Sequence, residues 1–385
     1  MILRNSSVEI LPSDWYLKGI FRAIEEAGRT CYKSIGTRYF RLENEPKNDD
    51  FLKLVDELRE DPRVTCKRGP FFDDSYYVSI PHKYMKDYVE LEQYPEETFE
   101  NSALYENLTA DDFVQMIINN GHGAMLEHGT VYLKISHTSP LGDPEYLTKF
   151  ESVQNYQKNK FSKVNIVTED HYKYDNYITT NYRVIVENGW EDDLKYLCEP
   201  TEFHELRVST RFICDRSVSH ELVRHRAMSF GQESQRFCDY GKAKYNGQIT
   251  FIIPHWVKYI DEGEAYWYDG INYCTGATEE NHYMGSRFWA KPFETDDVIE
   301  WDNELRFIES LDRAERAYMA FRKAGLKAQD ARAILPNATK TEIVVTGFVS
   351  DWKHFFELRT SERAHPDMRK LALDLEDQFK NLNLI

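Results

Sequence analysis

The segment from Leu206 to Cys214 alternates without a break. Leu206, Val208, Thr210, Phe212 and Cys214 fall on one side of an extended chain, and Arg207, Ser209 and Arg211 on the other. A period of two with one apolar side is the pattern of a strand that covers a core with one face. Asp215 and Ser217 stand next as candidate N-caps, because their oxygens can accept from the free amides of a first helical turn. Val218 and Leu222 then lie one turn apart, and the helix they define runs out at Arg224-His225-Arg226. Cations at that end are favoured by the helix dipole by ~0.3–1 kcal/mol each. Any fold of this chain must therefore place a basic cluster one short helix away from a core strand.

The cluster extends to Arg236 and is at odds with its surroundings. Arg224 to Arg236 carries guanidiniums, an imidazole, hydroxyls and carboxamides in a chain of net charge −17. A guanidinium is a planar fork of donors that stays charged and suits phosphate or polar ring edges. Ser229, Gly231, Gln232, Ser234 and Arg236 show no apolar periodicity and read as a loop. Helix end and loop together form a donor-rich concavity for a phosphate-bearing ligand. The overall charge argues against nucleic acid and anionic membranes as partners, since both need a basic face. It does not argue against a small anion, because salt screens distant charge. Scattered cysteines without a CxxC pair read as reduced thiols of a cytoplasmic protein. No stretch reaches membrane-spanning length, and the first residues lack the apolar run of a signal peptide.

Elsewhere, periodicity predicts a helix over 15–30 with Leu17, Ile20, Phe21, Ile24 and Ala27 inward, Gly28 as its stop and Arg29 on the surface. Asp111 to Asn120 reads as an amphipathic helix (Phe113, Val114, Met116, Ile117), and Thr130 to Ile135 as a half-buried strand. Tyr177 to Val186 reads as a strand or hairpin, and Ile249 to Pro254 as an apolar strand. Asp302 leads into a long helix with Leu305, Ile308, Leu311, Ala314, Tyr318 and Phe321 inward and Gly325 at its stop. A helix from Ala328 to Leu335 carries Arg332, and Glu342 to Phe348 is a β-branched strand. Ser350 or Asp351 caps a helix from Trp352 to Arg359. Pro366 opens a last helix with Met368, Leu371, Leu375, Phe379 and Leu382 inward. Polar and aromatic stretches at 35–110, 137–202 and 255–300 read as insertions into a single domain, the first solvated and with a short helix from Phe51 to Leu58.

His122, Glu127 and His128 invite a metal. Their spacing fits neither HExxH nor a zinc-finger pattern, and no fourth ligand stands nearby, so no metal is assigned. An imidazole in the Gly-rich turn from Gly121 to His128 is better placed to line a ligand pocket or to bond a backbone group.

Arg224-His225-Arg226, seven residues and then Ser234 resembles the signature of the flavin-dependent thymidylate synthases, the ThyX type. Four blocks resemble that family in its order. They are Ala27 to Cys31, Gly121 to His128, the core from Phe203 to Pro254, and Ala331 to Pro336 through His354 to Arg359. The resemblance implies a mixed α/β (α+β) fold around a twisted antiparallel sheet flanked by helices, assembled as a homotetramer with active sites shared between subunits. It implies methylation of dUMP to dTMP with 5,10-methylenetetrahydrofolate as carbon donor, FAD as hydride carrier and NADPH as reductant. Carried over by position, dUMP is expected at Glu221, Leu222, Val223, Arg224, Gln232, Glu233, Ser234, Gln235, Arg236, Arg332 and Arg359. FAD is expected at His122, Ala124, Arg224, His225, Arg226, Gln232, Phe348, Val349, Ser350 and His354. Arg359 is the implied catalytic residue, which stabilises the ionised uracil ring. Some positions depart from the commoner pattern. Glu221 stands where many members have Gln, Gln232 where many have Glu, Phe348 where Asn is common, and Ala124 where a polar residue is common.

The residues make this chemistry intelligible. Uracil carbons are poor electrophiles, and the cysteine-dependent thymidylate synthases answer this with a thiolate. This chain has no Pro-Cys-His motif, and Cys238 stands in no activating setting. An arginine can instead stabilise charge developing on the ring, as an oxyanion hole does, while a flavin carries the hydride. Ser234 has no base paired with it and reads as a binding residue.

Overall fold

The structure, a computed structural model, describes residues 1–32, 37–42, 57, 60, 65–68, 76–81, 106–138, 145–170, 173–242, 247–258, 260, 262–263, 266–268, 273–275 and 298–385. It forms two compact units, Met1–Tyr32 with His122–Ile385, and Lys33–Gly121. In chain order the strands are β1 (Ile2–Arg4), β2 (Ser7–Ile10), β3 (Thr37–Leu42), β4 (Thr65–Arg68), β5 (Tyr76–Pro81), β6 (Thr130–Thr138), β7 (Lys163–Asp170), β8 (Lys173–Asn181), β9 (Arg207–Asp215), β10 (Ser229–Gln232), β11 (Thr250–Ile252), β12 (Tyr266–Tyr268), β13 (Tyr273–Thr275) and β14 (Lys340–Phe348). The helices are α1 (Leu17–Tyr32), α2 (Glu106–Asn119), α3 (Tyr146–Lys158), α4 (Tyr182–Asn188), α5 (Arg216–Leu222), α6 (Val298–Lys323), α7 (Ala328–Ala331), α8 (Val349–Arg359) and α9 (Pro366–Asn381).

The smaller unit carries the antiparallel sheet β3-β5-β4 and α2. In the larger unit the central sheet runs β10-β14-β9-β2, antiparallel throughout. Its longest ladder joins β9 to β14, from Asp215 against Lys340 to Arg207 against Phe348. The alternation read from the sequence decides its faces. Val208, Phe212 and Cys214 of β9 join Ile343 and Val345 of β14 on one face. Val218 and Leu222 of α5, Trp352, Phe355 and Phe356 of α8, and Met368, Leu371, Leu375 and Phe379 of α9 close over them. Each such side chain contributes about 1.5–3 kcal/mol when fully buried. Trp352 also donates its indole N–H to the Val208 carbonyl at 3.1 Å, which fixes α8 on the sheet.

The opposite face is polar and is covered by α1 and the 3₁₀ turn Gly123–His128. The approach is close at Gly231, where a Cβ would stand 3.1 Å from the Ala27 carbonyl and 3.2 Å from His128 Nε2. His128 Nδ1 lies 2.8 Å from Thr346 Oγ1, which lies 2.7 Å from Ser209 Oγ. Arg207 is buried in this layer. It donates to the Glu127 carbonyl at 3.1 Å and lies over the Phe348 ring at 5.5 Å.

This mixed α/β architecture with an antiparallel sheet between helices is what the resemblance implies. A second antiparallel sheet, β6-β8-β7, takes two of its strands from the stretch at 137–202, and Val153 and Tyr156 of α3 are buried beside it. The one parallel pair among the described strands joins β1 to β11.

Several local expectations are corrected. Gly28 does not stop α1, which runs on to Tyr32 with Arg29 paired to Glu25 one turn back. Burial of Ile20, Ile24 and Ala27 outweighs the ~0.5–1 kcal/mol that a helical glycine costs. Thr130 and Tyr132 are buried as well as Val131 and Leu133, so β6 begins covered on both faces. Tyr177 to Val186 is half strand and half helix, because Asn181 caps α4 by accepting from the Val184 amide. Met116, Phe321 and Leu382 are exposed rather than inward. Neither Ser350 nor Asp351 is the cap residue of α8. Phe348 holds that place, and Asp351 reaches back from within the first turn to accept from the Phe348 amide at 3.3 Å. Gly325 does follow the end of α6, at φ +91°. The helix expected from Phe51 to Leu58 falls, but for Glu57, outside the described residues, as does most of 255–300.

Two predictions follow from buried charge. Lys340 Nζ lies 2.9 Å from Glu233 Oε2 and also bonds Glu342, clamping the end of β10 to β14. Burial opposes its charge, but the two carboxylates outweigh burial and hold the ammonium above its ordinary range. Lys340→Met takes this cation from the buried Glu233 carboxylate and is expected to cost about 3–5 kcal/mol, read as a lower urea midpoint at unchanged slope. Burial, and then Arg207, push His128 down to about 3. The unfolded imidazole titrates near 6.5, so between those values the unfolded chain binds a proton that the folded chain refuses. Stability from this residue is complete above about 6.5 and is lost as pH falls toward 3. His128→Asn is expected to lose less stability than the parent across that window in thermal unfolding.

Candidate functional site

The site is built from two helix ends. At the start of α5, Asp215 accepts from the Val218 amide at 2.7 Å and from Ser217 Oγ at 2.7 Å, as its cap chemistry predicts. Leu222 is locked into the core, and the chain then turns, with the His225 amide donating to the Leu222 carbonyl at 3.1 Å and the Met228 amide to the His225 carbonyl at 3.0 Å. That turn projects Arg224, His225 and Arg226 toward α8, which brings His354, Leu358 and Arg359. Together with Ala227, Met228 and Asp351 they line a cavity of about 230 Å³.

Its charges are of two kinds. Arg224 and Arg226 are exposed, and neither has a carboxylate in salt-bridge reach among the described residues. Arg359 is engaged. Its Nη1 donates to Glu221 Oε2 at 2.5 Å, its Nη2 to the Glu221 carbonyl at 3.1 Å and its Nε to His225 Nε2 at 3.0 Å. Burial first, then Arg359 and His354, hold His225 down at about 4. It is therefore neutral near pH 7. Its Nε2 accepts from Arg359, so its proton sits on Nδ1. Asp351 is pushed up, mainly by burial, against the hydrogen bond from the Phe348 amide. A cavity with two exposed guanidiniums, a held third and a neutral imidazole suits an anionic ligand with a polar ring edge.

The structure brings together Arg224, His225, Arg226, His354 and Arg359, with Glu221 behind Arg359. The other expected site residues lie elsewhere. Ser229–Gln232 is not loop but the edge strand β10, paired to β14. Gln232 Nε2 donates to Ser219 Oγ at 2.8 Å and to Thr341 Oγ1 at 3.3 Å. Glu233 is buried against Lys340 and Tyr240. The Ser234 amide donates to the Cys31 carbonyl at 2.9 Å, and Ser234 Oγ accepts from the Arg236 amide at 3.3 Å. Gln235 Nε2 is buried without a hydrogen-bond partner among the described residues. Arg236 and Arg332 are exposed, the latter donating to the Gln329 carbonyl at 3.1 Å.

Leu222 is core, so it can offer a ligand only its backbone, whereas Val223 is exposed. Phe348 is buried under Arg207 and lies outside the cavity, and Ser350 bonds Glu205. Val349 is partly buried against the core, its amide donating to the Leu206 carbonyl at 2.9 Å. His122, the residue before the 3₁₀ turn, and Ala124 within it are exposed. Glu127 turns away to Arg183 at 2.6 Å and His128 turns inward, so the three groups that invited a metal diverge. Among the described residues no cluster of three or more His, Cys, Asp or Glu could hold one. Ala227, Met228, Asp351 and Leu358 line the cavity without having been singled out as ligand residues. For Leu358 a signal existed, since it stands four residues beyond His354 on the same helix face.

Residues 196–382 match the family model described as thymidylate synthase complementing protein, Thy1. The flavin-dependent thymidylate synthase of Corynebacterium aurimucosum is 34% identical over 159 residues, which are 41% of this chain and 51% of that protein. The flavin-dependent thymidylate synthase of Pyrococcus furiosus is 32% identical over 166 residues, 43% of this chain and 51% of that protein. The chain thus spans about half the length of the curated relatives it matches. A solved UMP/dUMP methylase from Streptomyces cacaoi shares 18% identity over 46% of this chain and 66% of its own, at a TM-score of 0.32, too low to carry an argument. The resemblance read from the Arg224 to Ser234 motif is borne out over 196–382.

The hydrogen bond between Arg359 and His225 has a direct readout. In a histidine-labelled sample the His225 imidazole is expected to titrate near 4. In Arg359→Gln it moves up toward the ordinary value of about 6.5 without reaching it, since burial remains. An unchanged titration by NMR would mean that the two side chains do not touch.

Proposed function

We propose that this chain, whose residues 196–382 carry the Thy1 family match, is a flavin-dependent thymidylate synthase that methylates dUMP to dTMP. What carries the reading is a convergence. Two guanidiniums without a carboxylate partner among the described residues, Arg224 and Arg226, share one cavity with Arg359, His225 and His354, which come from a helix more than a hundred residues away or from the same turn. Unpaired guanidinium forks match the diphosphate of FAD and the phosphate of a nucleotide, and Met228 and Leu358 offer apolar surface to a ring. The residues present therefore fit a flavin, which when bound supplies the hydride. Arg359 faces the uracil ring and stabilises the charge that develops there, held in orientation by His225 and the Glu221 carbonyl. In this reading 5,10-methylenetetrahydrofolate is the carbon donor and NADPH the reductant.

A homotetramer with shared active sites accounts for the exposed residues outside this cavity. His122, Ala124, Arg236 and Arg332 would serve sites completed by a neighbouring copy. The stretches at 35–110, 137–202 and 255–300 are then additions to one catalytic domain. The setting is cytoplasmic, with neither nucleic acid nor membrane as partner. No helix among the described residues is long and apolar enough to cross a membrane.

Purified protein is expected to be yellow and to release tritium from dUMP labelled at ring carbon 5 only with folate donor and NADPH present. Arg359→Ala keeps its circular dichroism yet loses turnover by about 10²–10³-fold, the scale for removing one preorganised donor. Arg224→Ala weakens both FAD and dUMP. Colourless protein that takes up no FAD on reconstitution counts against the reading. The ion pair that occupies Arg359 favours one other reading, a nucleotide-binding regulator without turnover. Oxidation of the reduced flavin that depends on dUMP separates the two.

A further inference from the structure

Arg359 is not a bare cation. A guanidinium has five N–H donors. Three of them point to α5 and the turn that follows it, at Glu221 Oε2, the Glu221 carbonyl and His225 Nε2. Two remain for anything that enters the cavity. The carboxylate that neutralises Arg359 stands in the last turn of α5, where the helix dipole disfavours negative charge. Among the described residues Arg359 is its one salt-bridge partner. Its side chain keeps 33% of its exposure, so it is placed to leave toward solvent. The acid that lines the cavity, Asp351, is tied to the Phe348 amide and does not compete for Arg359.

We propose that Glu221 is a built-in counter-ion, displaced from Arg359 by the anionic group of an incoming ligand, and that it thereby sets which anions the cavity accepts. Glu221 acts through Arg359 and is a positioning and specificity-determining residue, not a catalytic one. With Glu221 in place, a neutral ring edge finds two oriented donors of a charge-compensated fork. An anionic group must first take the guanidinium from the carboxylate, and it is repelled by that carboxylate until it does. Weakly held anions are refused, while an anion that also engages Arg224 or Arg226 overcomes the competition. The inference rests on the thymidylate synthase reading only for the identity of the ligand. The competition itself follows from the three contacts.

The test uses the full-length protein, loaded with FAD where it binds, and isothermal titration with three probes: dUMP, inorganic pyrophosphate and neutral deoxyuridine. Glu221→Gln keeps the shape and the accepting oxygen but removes the charge. It is expected to bind at least one of the two anions about fivefold more tightly, the scale of one screened charge contact, with a gap that narrows as salt is raised. Deoxyuridine is expected to change by less than about twofold, and Glu221→Asp, which keeps the charge, to stay near the parent. A purely structural Glu221 would give the opposite result, weaker binding of all ligands in Glu221→Gln. Unchanged or weaker binding of both anions overturns the proposal. Pyrophosphate that tightens while dUMP binds no variant leaves the counter-ion standing and removes the nucleotide reading. Should Glu221→Gln fold poorly by circular dichroism, Glu221→Ala provides the same comparison of charge.

Discussion

The ladder between β9 and β14 is the constraint on which the cavity depends. The two strands are antiparallel and in register from Asp215 against Lys340 to Arg207 against Phe348. Each is followed at once by a helix, α5 after Asp215 and α8 after Phe348. The two helices therefore start at opposite ends of the same ladder. Both fold back over the same apolar face, because Val218 and Leu222 share one core with Trp352, Phe355 and Phe356. The ladder is about 27 Å long at ~3.4 Å per step, and the two helices together rise by a similar distance at ~1.5 Å per residue. They meet near the middle of the sheet, C-terminus to C-terminus, and that meeting places Arg359 against Glu221 and His225.

Two helix C-termini facing each other would on their own present negative dipole ends and unbonded carbonyls to one another. The chain answers with cations at both ends, Arg224 and Arg226 on one side and Arg359 on the other, and Arg359 bonds a carbonyl of the opposing end. The positive character of the cavity is therefore in part local compensation, which is how a chain of net charge −17 can hold it. Arg207 shows the same economy on the other face. It is buried with neutral oxygens and an aromatic ring as its direct partners, and among the described residues no carboxylate stands in salt-bridge distance, though Glu127 and Asp351 act on it from farther off. Burial lowers its pKa to about 10, which still leaves it charged near neutrality.

The parts of this arrangement that were legible in the sequence are those fixed by neighbours in the chain. The alternation from Leu206 to Cys214, the Asp215 cap and the basic exit of α5 all depend on spacings of a few residues, and they stand as read. Ser229 to Gln232 was misread as loop because its small and polar residues carry no period. Their strand state comes from Ile343 to Thr346, more than a hundred positions away, and their polarity from the His128 and Arg207 layer they face. Gly28 was misread as a stop because a local rule was applied where burial of the neighbouring turns decides. The contact of Arg359 with Glu221 lies 138 positions apart and had no local trace. Only the family resemblance brought both residues into one site, and it did so without showing that they are paired. The same resemblance placed Phe348 beside a flavin, whereas a phenyl ring at that position folds inward under Arg207.

The meeting of two helix ends also says where such a chain can grow. One residue added within α8 would rotate everything beyond it by about 100° and carry the Arg359 fork off its partners. The same holds, more steeply, for the two turns of α5. Lengthening is harmless only where it alters neither the phase of the two helices nor the register of the ladder, which means before Arg207, between Gln232 and Lys340, or after Arg359. The stretches read from the sequence as insertions, at 35–110, 137–202 and 255–300, all fall within those allowances.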